Sequence, residues 1–276
     1  MIKTLDNFKI VTQAGVTYDM AEDFGVLVRS FSISSARPEI ITEKVENTNG
    51  NLRMGKSWGS RQLTAVCSLF ATDYIDTSLL RSELYAVLMS RDEFYIIVDS
   101  EPGKRWKVEV VSEFTPEAIG TYGDFTVEFV CHKGVAESVA TTQTAQTFDV
   151  ESWQLGQGLT ADDLAYTHST TSFRIFNAGG IPINPRETPL VITFTGASTN
   201  LKIANTTTGD EWQYTGTTAS GDTVRLDGIR STKNGLSIFR NTNRKLITMA
   251  TGWNDFVITG ASGAFTISFD HRFYYL

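Results

Sequence analysis

The stretch Phe265-Thr266-Ile267-Ser268-Phe269-Asp270-His271-Arg272-Phe273-Tyr274-Tyr275 sets Phe265, Ile267, Phe269, His271, Phe273 and Tyr275 at every second position. Side chains of a β-strand alternate between its two faces, so these six are expected on one buried face. Working back from this strand, the second half of the chain carries further strand-like runs: Phe173–Phe176, Leu190–Thr195, Leu201–Ala204, Thr223–Asp227, Gly235–Phe239, Lys245–Met249 and Asp255–Thr259. Turn residues punctuate them at Gly179-Gly180, Gly209-Asp210, Ser220-Gly221-Asp222, Asn234-Gly235 and Ser262-Gly263. Many short strands at this spacing predict an antiparallel β-sandwich or jelly roll.

The first half reads as mainly β with one helix. Leu63, Cys67 and Leu69 alternate with polar partners, as do Phe94, Ile96 and Val98, then Trp106, Val108 and Val110, then Phe125, Val127, Phe129 and Cys131. Each run predicts a half-buried strand. Ser100-Glu101-Pro102-Gly103-Lys104 predicts a turn that makes a hairpin of two of them. Between Asp73 and Met89 the apolar residues Ile75, Leu79, Leu80, Leu84, Val87 and Leu88 recur at three- and four-residue intervals, which predicts an amphipathic helix with Asp76 or Thr77 as its N-cap. Glu46–Ser60, with Asn49-Gly50, Gly55 and Gly59, is polar and glycine-rich and is expected to be a long mobile hairpin loop. Val139–Thr147 is small, polar and aperiodic, as in a linker or edge segment. These features divide the chain into domains 1–140 and 141–276.

The 276 residues carry a formal net charge of −7, of which −6 falls on residues 1–140. An acidic chain lacks the excess Lys and Arg that neutralise phosphates, so specific nucleic-acid binding is not expected. Nor is membrane insertion, since no apolar run approaches the roughly 18 residues a span needs, and the candidate Phe94–Val98 is only strand-sized. The first residues show no charged segment followed by an apolar one, so no signal peptide is expected. Two cysteines, Cys67 and Cys131, are too few for a disulfide framework or a cysteine-based zinc site.

Candidate chemistry is sparse. His271 belongs to the aromatic series and reads as a core or interface residue. His132 follows Cys131, and neighbours on a strand point to opposite faces, the wrong geometry for a thiolate–imidazole pair. His168 lies in a Thr/Ser loop and reads as solvated. Asp162-Asp163, Asp222 and Asp227 could offer oxygen ligands to calcium, although aspartates also populate turns simply by bonding their own backbone. No pair of acids is singled out for glycoside hydrolysis. The sequence has no G-x-S-x-G, G-x-G-x-x-G, P-loop or H-E-x-x-H motif, so neither catalysis nor a cofactor is expected. The basic run Lys104-Arg105-Trp106-Lys107 reads as a solvated strand or a subunit contact. Trp153, Trp212, Tyr214 and Trp253 read mainly as core; Trp212, Tyr214 and Trp253 are also candidates for stacking on sugar rings, which would make the second domain a carbohydrate-binding module recognising a host-wall saccharide.

A series of short motifs, in order, resembles the distal tail (Dit) proteins of long, non-contractile-tailed phages and prophages of Gram-positive bacteria. They are Phe24-Gly25-Val26-Leu27-Val28, Gly59-Ser60-Arg61-Gln62-Leu63-Thr64, Leu79-Leu80-Arg81-Ser82-Glu83-Leu84, Glu101-Pro102-Gly103-Lys104-Arg105-Trp106 and the run Tyr122–Cys131. Ile175-Phe176-Asn177-Ala178-Gly179, Pro189-Leu190-Val191-Ile192 and Gly252-Trp253-Asn254 before Phe256–Gly260 follow. The resemblance implies a tail-tube-like split β-barrel or sandwich with an α-helix, followed by a galectin-like sandwich that projects outward. It also implies a virion structural protein at the tail tip, assembled in the host cytoplasm. Its partners would be itself, in a homo-hexameric ring, the tail-tube protein, a tail-associated fibre or lysin protein and a receptor-binding protein. A ring closed by rotation joins unlike patches. The Glu46–Ser60 loop and the Asp73–Met89 helix are expected near those contacts, with Asn49, Arg53, Met54, Lys56, Trp58 and Arg61 as the candidate oligomer or tube residues.

Overall fold

The computed structural model describes residues 3–47, 49–145, 152–159 and 164–276. They form two compact units, one reaching to Ala136 and the other spanning Glu137–Tyr275. Both are β structures, and the first carries the one α-helix among the described residues.

The first unit contains β1 (Phe8–Val11), β2 (Thr17–Asp19), β3 (Val26–Ile33), β4 (Pro38–Glu43), β5 (Leu52–Trp58), β6 (Arg61–Phe70), α1 (Tyr74–Leu88), β7 (Phe94–Val98), β8 (Lys104–Val110), β9 (Glu117–Ile119) and β10 (Tyr122–Cys131). Its main sheet runs β2-β1-β7-β8-β10-β6-β3 with antiparallel neighbours. The alternation in the sequence sets the register: Phe125 faces Cys67, Val127 faces Ala65 and Phe129 faces Leu63, all on the buried side. The sheet curls until its two ends meet. Phe8 of β1 and Phe31 of β3 have ring centroids 5.3 Å apart, and the Val26 N–H donates to the Met20 carbonyl at 2.9 Å. Phe129 closes the barrel core edge-on against Phe8 and Phe94. The expected β7–β8 hairpin is present, with the Lys104 N–H donating to the Glu101 carbonyl at 3.0 Å.

Helix α1 starts earlier than expected. Asp73 is its N-cap, accepting from the Asp76 N–H at 2.8 Å, and the Asp76 carboxylate in turn accepts from the Thr72 N–H. Two orphan donors of the chain entering the helix are thereby satisfied, which neither Asp76 nor Thr77 could do as the cap. Leu84 and Leu88 are buried, and Tyr85 packs on Phe114, which stacks on Phe125. Ile75 and Leu79, counted above with the apolar stripe, face solvent instead.

The second unit continues through β11 (Ala136–Ser138), β12 (Thr167–His168), β13 (Ser172–Asn177), β14 (Leu190–Asn205), β15 (Asp210–Gln213), β16 (Thr217–Thr218), β17 (Thr223–Asp227), β18 (Arg230–Lys233), β19 (Leu236–Ser237), a 3-10 turn at Phe239–Asn241, β20 (Gly252–His271) and β21 (Tyr274–Tyr275). Two pairs of runs expected as separate short strands are each one long strand, β14 and β20, antiparallel along their length. Their register slips between Gly196 and Lys202, opposite Gly260 and Gly263. Gly260 has φ +83°, and a Cβ there would lie 2.6 Å from the Asn200 carbonyl oxygen, so the bend requires glycine. The Ser262-Gly263 pair, which looks like a turn in the sequence, thus lies inside a long strand that folds over. A straight strand from Phe256 to Phe269 would span about 40 Å, yet their ring centroids are 4.7 Å apart. The two halves of β20 therefore face each other across the core. The first half pairs with β13 and the end of β14, the second with β12 and the start of β14, which also carries β17, β18 and β19.

Two expectations fail locally. Lys245–Met249 is not a strand, although Ile247 and Met249 are buried. The Thr248 N–H is bound by the Asp210 carboxylate at 3.0 Å, and Met249 makes only an isolated bridge to Ile183. The C-terminal alternation holds to Phe273 and then shifts, because the Phe273 N–H turns to Ser138 Oγ at 3.1 Å and the Ser138 N–H to the Phe273 carbonyl at 2.8 Å. Phe273 and Tyr274 are consequently both buried, and Tyr275 is only half-buried. The start of the linker is an edge segment docked on β20: Thr142 Oγ1 donates to the Phe269 carbonyl at 2.7 Å and accepts from the His271 N–H. Its last residues, 146 and 147, lie outside the described residues.

His271 is fully buried beside Tyr166 and Phe273, and neither ring nitrogen has a hydrogen-bond partner among the described residues. Burial pushes its imidazole down to about 3. An unfolded histidine titrates near 6.5, so below that pH the unfolded chain takes up the proton and the folded chain does not. Stability is lost as pH falls from about 6.5 towards about 3, with a limiting slope of ~1.4 kcal/mol per pH unit. His271→Phe is expected to flatten this acid limb and to leave stability at neutral pH equal or higher, as measured by thermal unfolding at about pH 4 and about pH 7.

Candidate functional site

The feature of the first unit that its own core does not explain is the β4–β5 hairpin. The segment expected as a mobile loop is here the second strand and turn of a regular antiparallel ribbon. Pro38 pairs with Trp58, Ile40 with Lys56, Ile41 with Gly55 and Glu43 with Leu52. A bulge between Ile41 and Thr42 leaves Met54 without a cross-strand partner. Asn47, at φ 61°, and Gly50, at φ 84°, turn the chain at the tip. The base is fastened by the Gly59 N–H to the Arg37 carbonyl at 2.8 Å and by Ser34, whose Oγ donates to the Gln62 carbonyl at 2.8 Å.

Both faces of this arm are in solvent. Ile41 is 60% exposed and Met54 59%, and Ile40, Leu52 and Trp58 are exposed too. A lone two-stranded ribbon is at best marginally stable in water, and its outer edges leave backbone donors and acceptors unpaired. Large apolar side chains on such a ribbon have the character of a surface that another protein covers.

Of the six candidate contact residues, five lie on the arm: Asn49 at the tip and Arg53, Met54, Lys56 and Trp58 on β5. The Lys56 ammonium sits 4.2 Å from the Trp58 ring centroid, so this pair presents one combined cationic and aromatic patch. Arg61 is apart from them. It begins β6, its guanidinium lies 5.2 Å from the Trp106 ring centroid, and burial lowers its affinity for the proton. It belongs to the barrel wall. A second exposed apolar face lies on α1, where Tyr74 (77%) and Ile75 (73%) are open to solvent with Leu79 one turn on from Ile75.

The saccharide-stacking residues do not form a platform. Trp212 is 1% exposed, buried in the sandwich with its indole N–H donating to Ser231 Oγ at 3.2 Å, and Tyr214 is buried as well. A buried ring has no face to offer a sugar. Trp253 is 38% exposed, but Arg174 lies over its ring at 4.7 Å and Phe176 packs against it at 5.0 Å. Trp153 is buried and donates to the Ala145 carbonyl.

The remaining candidates have structural employment. The Asp222 carboxylate takes the Lys233 ammonium at 2.8 Å together with the Ala219 N–H and the Asn234 amide, and these hold it well below the usual carboxylate range. Asp227 pairs with Arg225 at 3.1 Å. Asp162 and Asp163 lie outside the described residues. His132 pairs with Glu109 at 2.7 Å. His168, expected as solvated, is instead stacked on Phe173 with centroids 4.3 Å apart, and burial lowers its pKa. Cys67 and Cys131 are buried, and burial pushes the Cys67 thiol up to about 12. Both are unreactive core residues.

Residues 13–131 match the family model described as phage tail protein RIFT-related domain. Along almost its whole length the chain is similar to the SPP1 Dit (gp 19.1) protein, whose crystal structure is described as a paradigm of the hub adsorption apparatus in phages infecting Gram-positive bacteria. The identity is 16%, the likeness covers 96% of this chain and 99% of that one, and the TM-score is 0.69. Chains of the phage p2 baseplate in its activated conformation are matched as well. With Sr the TM-score is 0.48 at 10% identity over 96% of this chain and 97% of that one; with Ca it is 0.49 at 11% over 95% and 97%. No curated protein matches the sequence. Residues 13–131 are thus similar to a phage tail protein RIFT-related domain, and the chain as a whole has the fold of the SPP1 Dit protein, a likeness to the distal tail proteins that the ordered motifs of its sequence implied.

Proposed function

We propose that the chain is a non-enzymatic structural subunit of a phage tail tip, a distal tail hub protein. The observation that carries this reading is the likeness to the SPP1 hub protein over 96% of this chain and 99% of that one. In this reading residues 1–140 close into a hexameric ring that continues the tail tube, and the sandwich of residues 141–276 completes the subunit. The ring joins the tube to a tail-associated fibre or lysin protein and anchors receptor-binding proteins, after assembly in the host cytoplasm.

The exposed surfaces of the first unit support a ring. Closure by rotation sets one patch of a subunit against a different patch of the next. The arm is one such patch, and the Ile75 and Leu79 face of α1 is the other. Apolar side chains that lie in water on the separate subunit are buried when the arm of one copy lies on the helix of its neighbour. The net charge of −6 on residues 1–140 suits a ring whose opening passes DNA, since a negative wall repels phosphates. Mass photometry of the purified chain over a concentration series is expected to resolve a species of six copies. Monomers at every concentration contradict the ring.

A further inference from the structure

The second unit has a polar cleft of about 350 Å³ lined by Asn184, Arg186, Asp210, Arg244, Lys245 and Thr248. Three cations from two turns far apart in sequence converge on it, in a protein whose net charge is −7. Neither the Arg186 nor the Arg244 guanidinium has a carboxylate partner among the described residues. Lys245 reaches Glu211 only at 3.6 Å, and Glu211 is already held by Lys202 at 2.5 Å. The one acid in the cleft is engaged. Asp210 accepts from the Thr248 N–H and from Thr208 Oγ1, each at 3.0 Å, and also from the Thr248 hydroxyl.

The backbone under these cations is set in advance. Asn184 Oδ1 accepts from the Arg186 N–H at 3.1 Å, while its carbonyl accepts from the N–H groups of Glu187 and Thr188. On the other side Asn243 Oδ1 accepts from the N–H groups of Lys245 and Gln213, and its amide donates to the Glu211 carbonyl. Between them Arg244 is held at φ 59°, in the left-handed region that a long side chain seldom occupies. Arg244 has only the Phe239 ring, 5.8 Å from its guanidinium, and Lys245 shares Glu211 with Lys202, so the charge gathered here exceeds its acids; strain of this kind beside such charge points to a ligand.

We propose that the cleft framed by Arg186, Arg244 and Lys245 binds an anionic sugar or polyol, one that carries a phosphate or a carboxylate. Planar guanidinium groups match both anions through paired hydrogen bonds. The Asn184 amide already donates one N–H to Glu187 Oε1 at 3.2 Å and keeps its second, and the Thr248 hydroxyl, which donates to Asp210, can still accept, so each has one polar contact left for the ligand's own hydroxyls; the volume suits one such residue. The site is separate from Trp253 and uses none of the aromatic candidates.

Isothermal titration of the full chain with glycerol 3-phosphate, galacturonate, neutral N-acetylglucosamine and a tetraglutamate peptide tests this. Saturable binding of either anionic probe is expected, weakened at least about tenfold in Arg186→Ala/Arg244→Ala and in Lys245→Ala, and weakened on raising salt from about 50 to about 300 mM. The neutral sugar is expected to bind more weakly than the anionic probe. The proposal is overturned if neither anionic sugar nor polyol binds, if the variants bind as the parent does, or if the peptide alone binds, which would mark a protein-docking site.

Discussion

The double substitution Ile41→Asp/Met54→Asp is expected to turn the proposed six-copy ring into monomers and to leave the thermal unfolding of the chain nearly unchanged. Both side chains project from a ribbon that lies outside the barrel core, and changes at exposed positions generally alter stability by no more than about 0.5 kcal/mol. At an interface the same residues lose apolar burial of roughly 1.5–3 kcal/mol each and gain a buried carboxylate each. A loss of about 4 kcal/mol per contact weakens association about a thousandfold, and every contact of the ring carries it. Sedimentation velocity of parent and variant, with circular dichroism as the check on folding, measures both halves of the expectation.

Trp212→Ala has the largest expected effect on stability, about 3–5 kcal/mol. Trp212 pairs with Ile203 across β14 and β15 and lines the sandwich interior with Leu190, Ile192 and Leu226. Its removal opens a cavity and strands the Ser231 hydroxyl that its indole binds. For a unit of this size the melting transition should fall by roughly 10–20 °C. Scanning calorimetry is the measurement. A surface ring that served to stack on sugar would instead leave the transition within a degree or two.

Where a strand buries one face, the sequence is legible. Phe125, Val127, Phe129 and Cys131 alternate because each second side chain enters the barrel, and the same holds from Phe265 to His271. The arm was illegible for the opposite reason. Both of its faces are solvent-exposed, so Leu52–Trp58 has no alternation to read and resembles a loop; its one signal is a set of apolar residues in a polar segment. Glycine misled at Ser262-Gly263, where positive φ bends a strand rather than ending it. Lys245–Met249 misled because alternation reports burial and not backbone pairing, and its Thr248 N–H is bound by a side chain. The charged cleft was invisible because Arg186 and Arg244 approach only through the fold.

Cysteine cross-linking tests directly the proposed seating of one subunit's arm on the helix of the next. The native thiols are buried, so an introduced exposed cysteine is the reactive one. A chain carrying Met54→Cys is mixed with a chain carrying Leu79→Cys, assembled, oxidised and run on a non-reducing gel. A covalent dimer is expected from the mixture and none from either chain alone. Rings that form from the mixture and yet yield only single chains on the gel would contradict it.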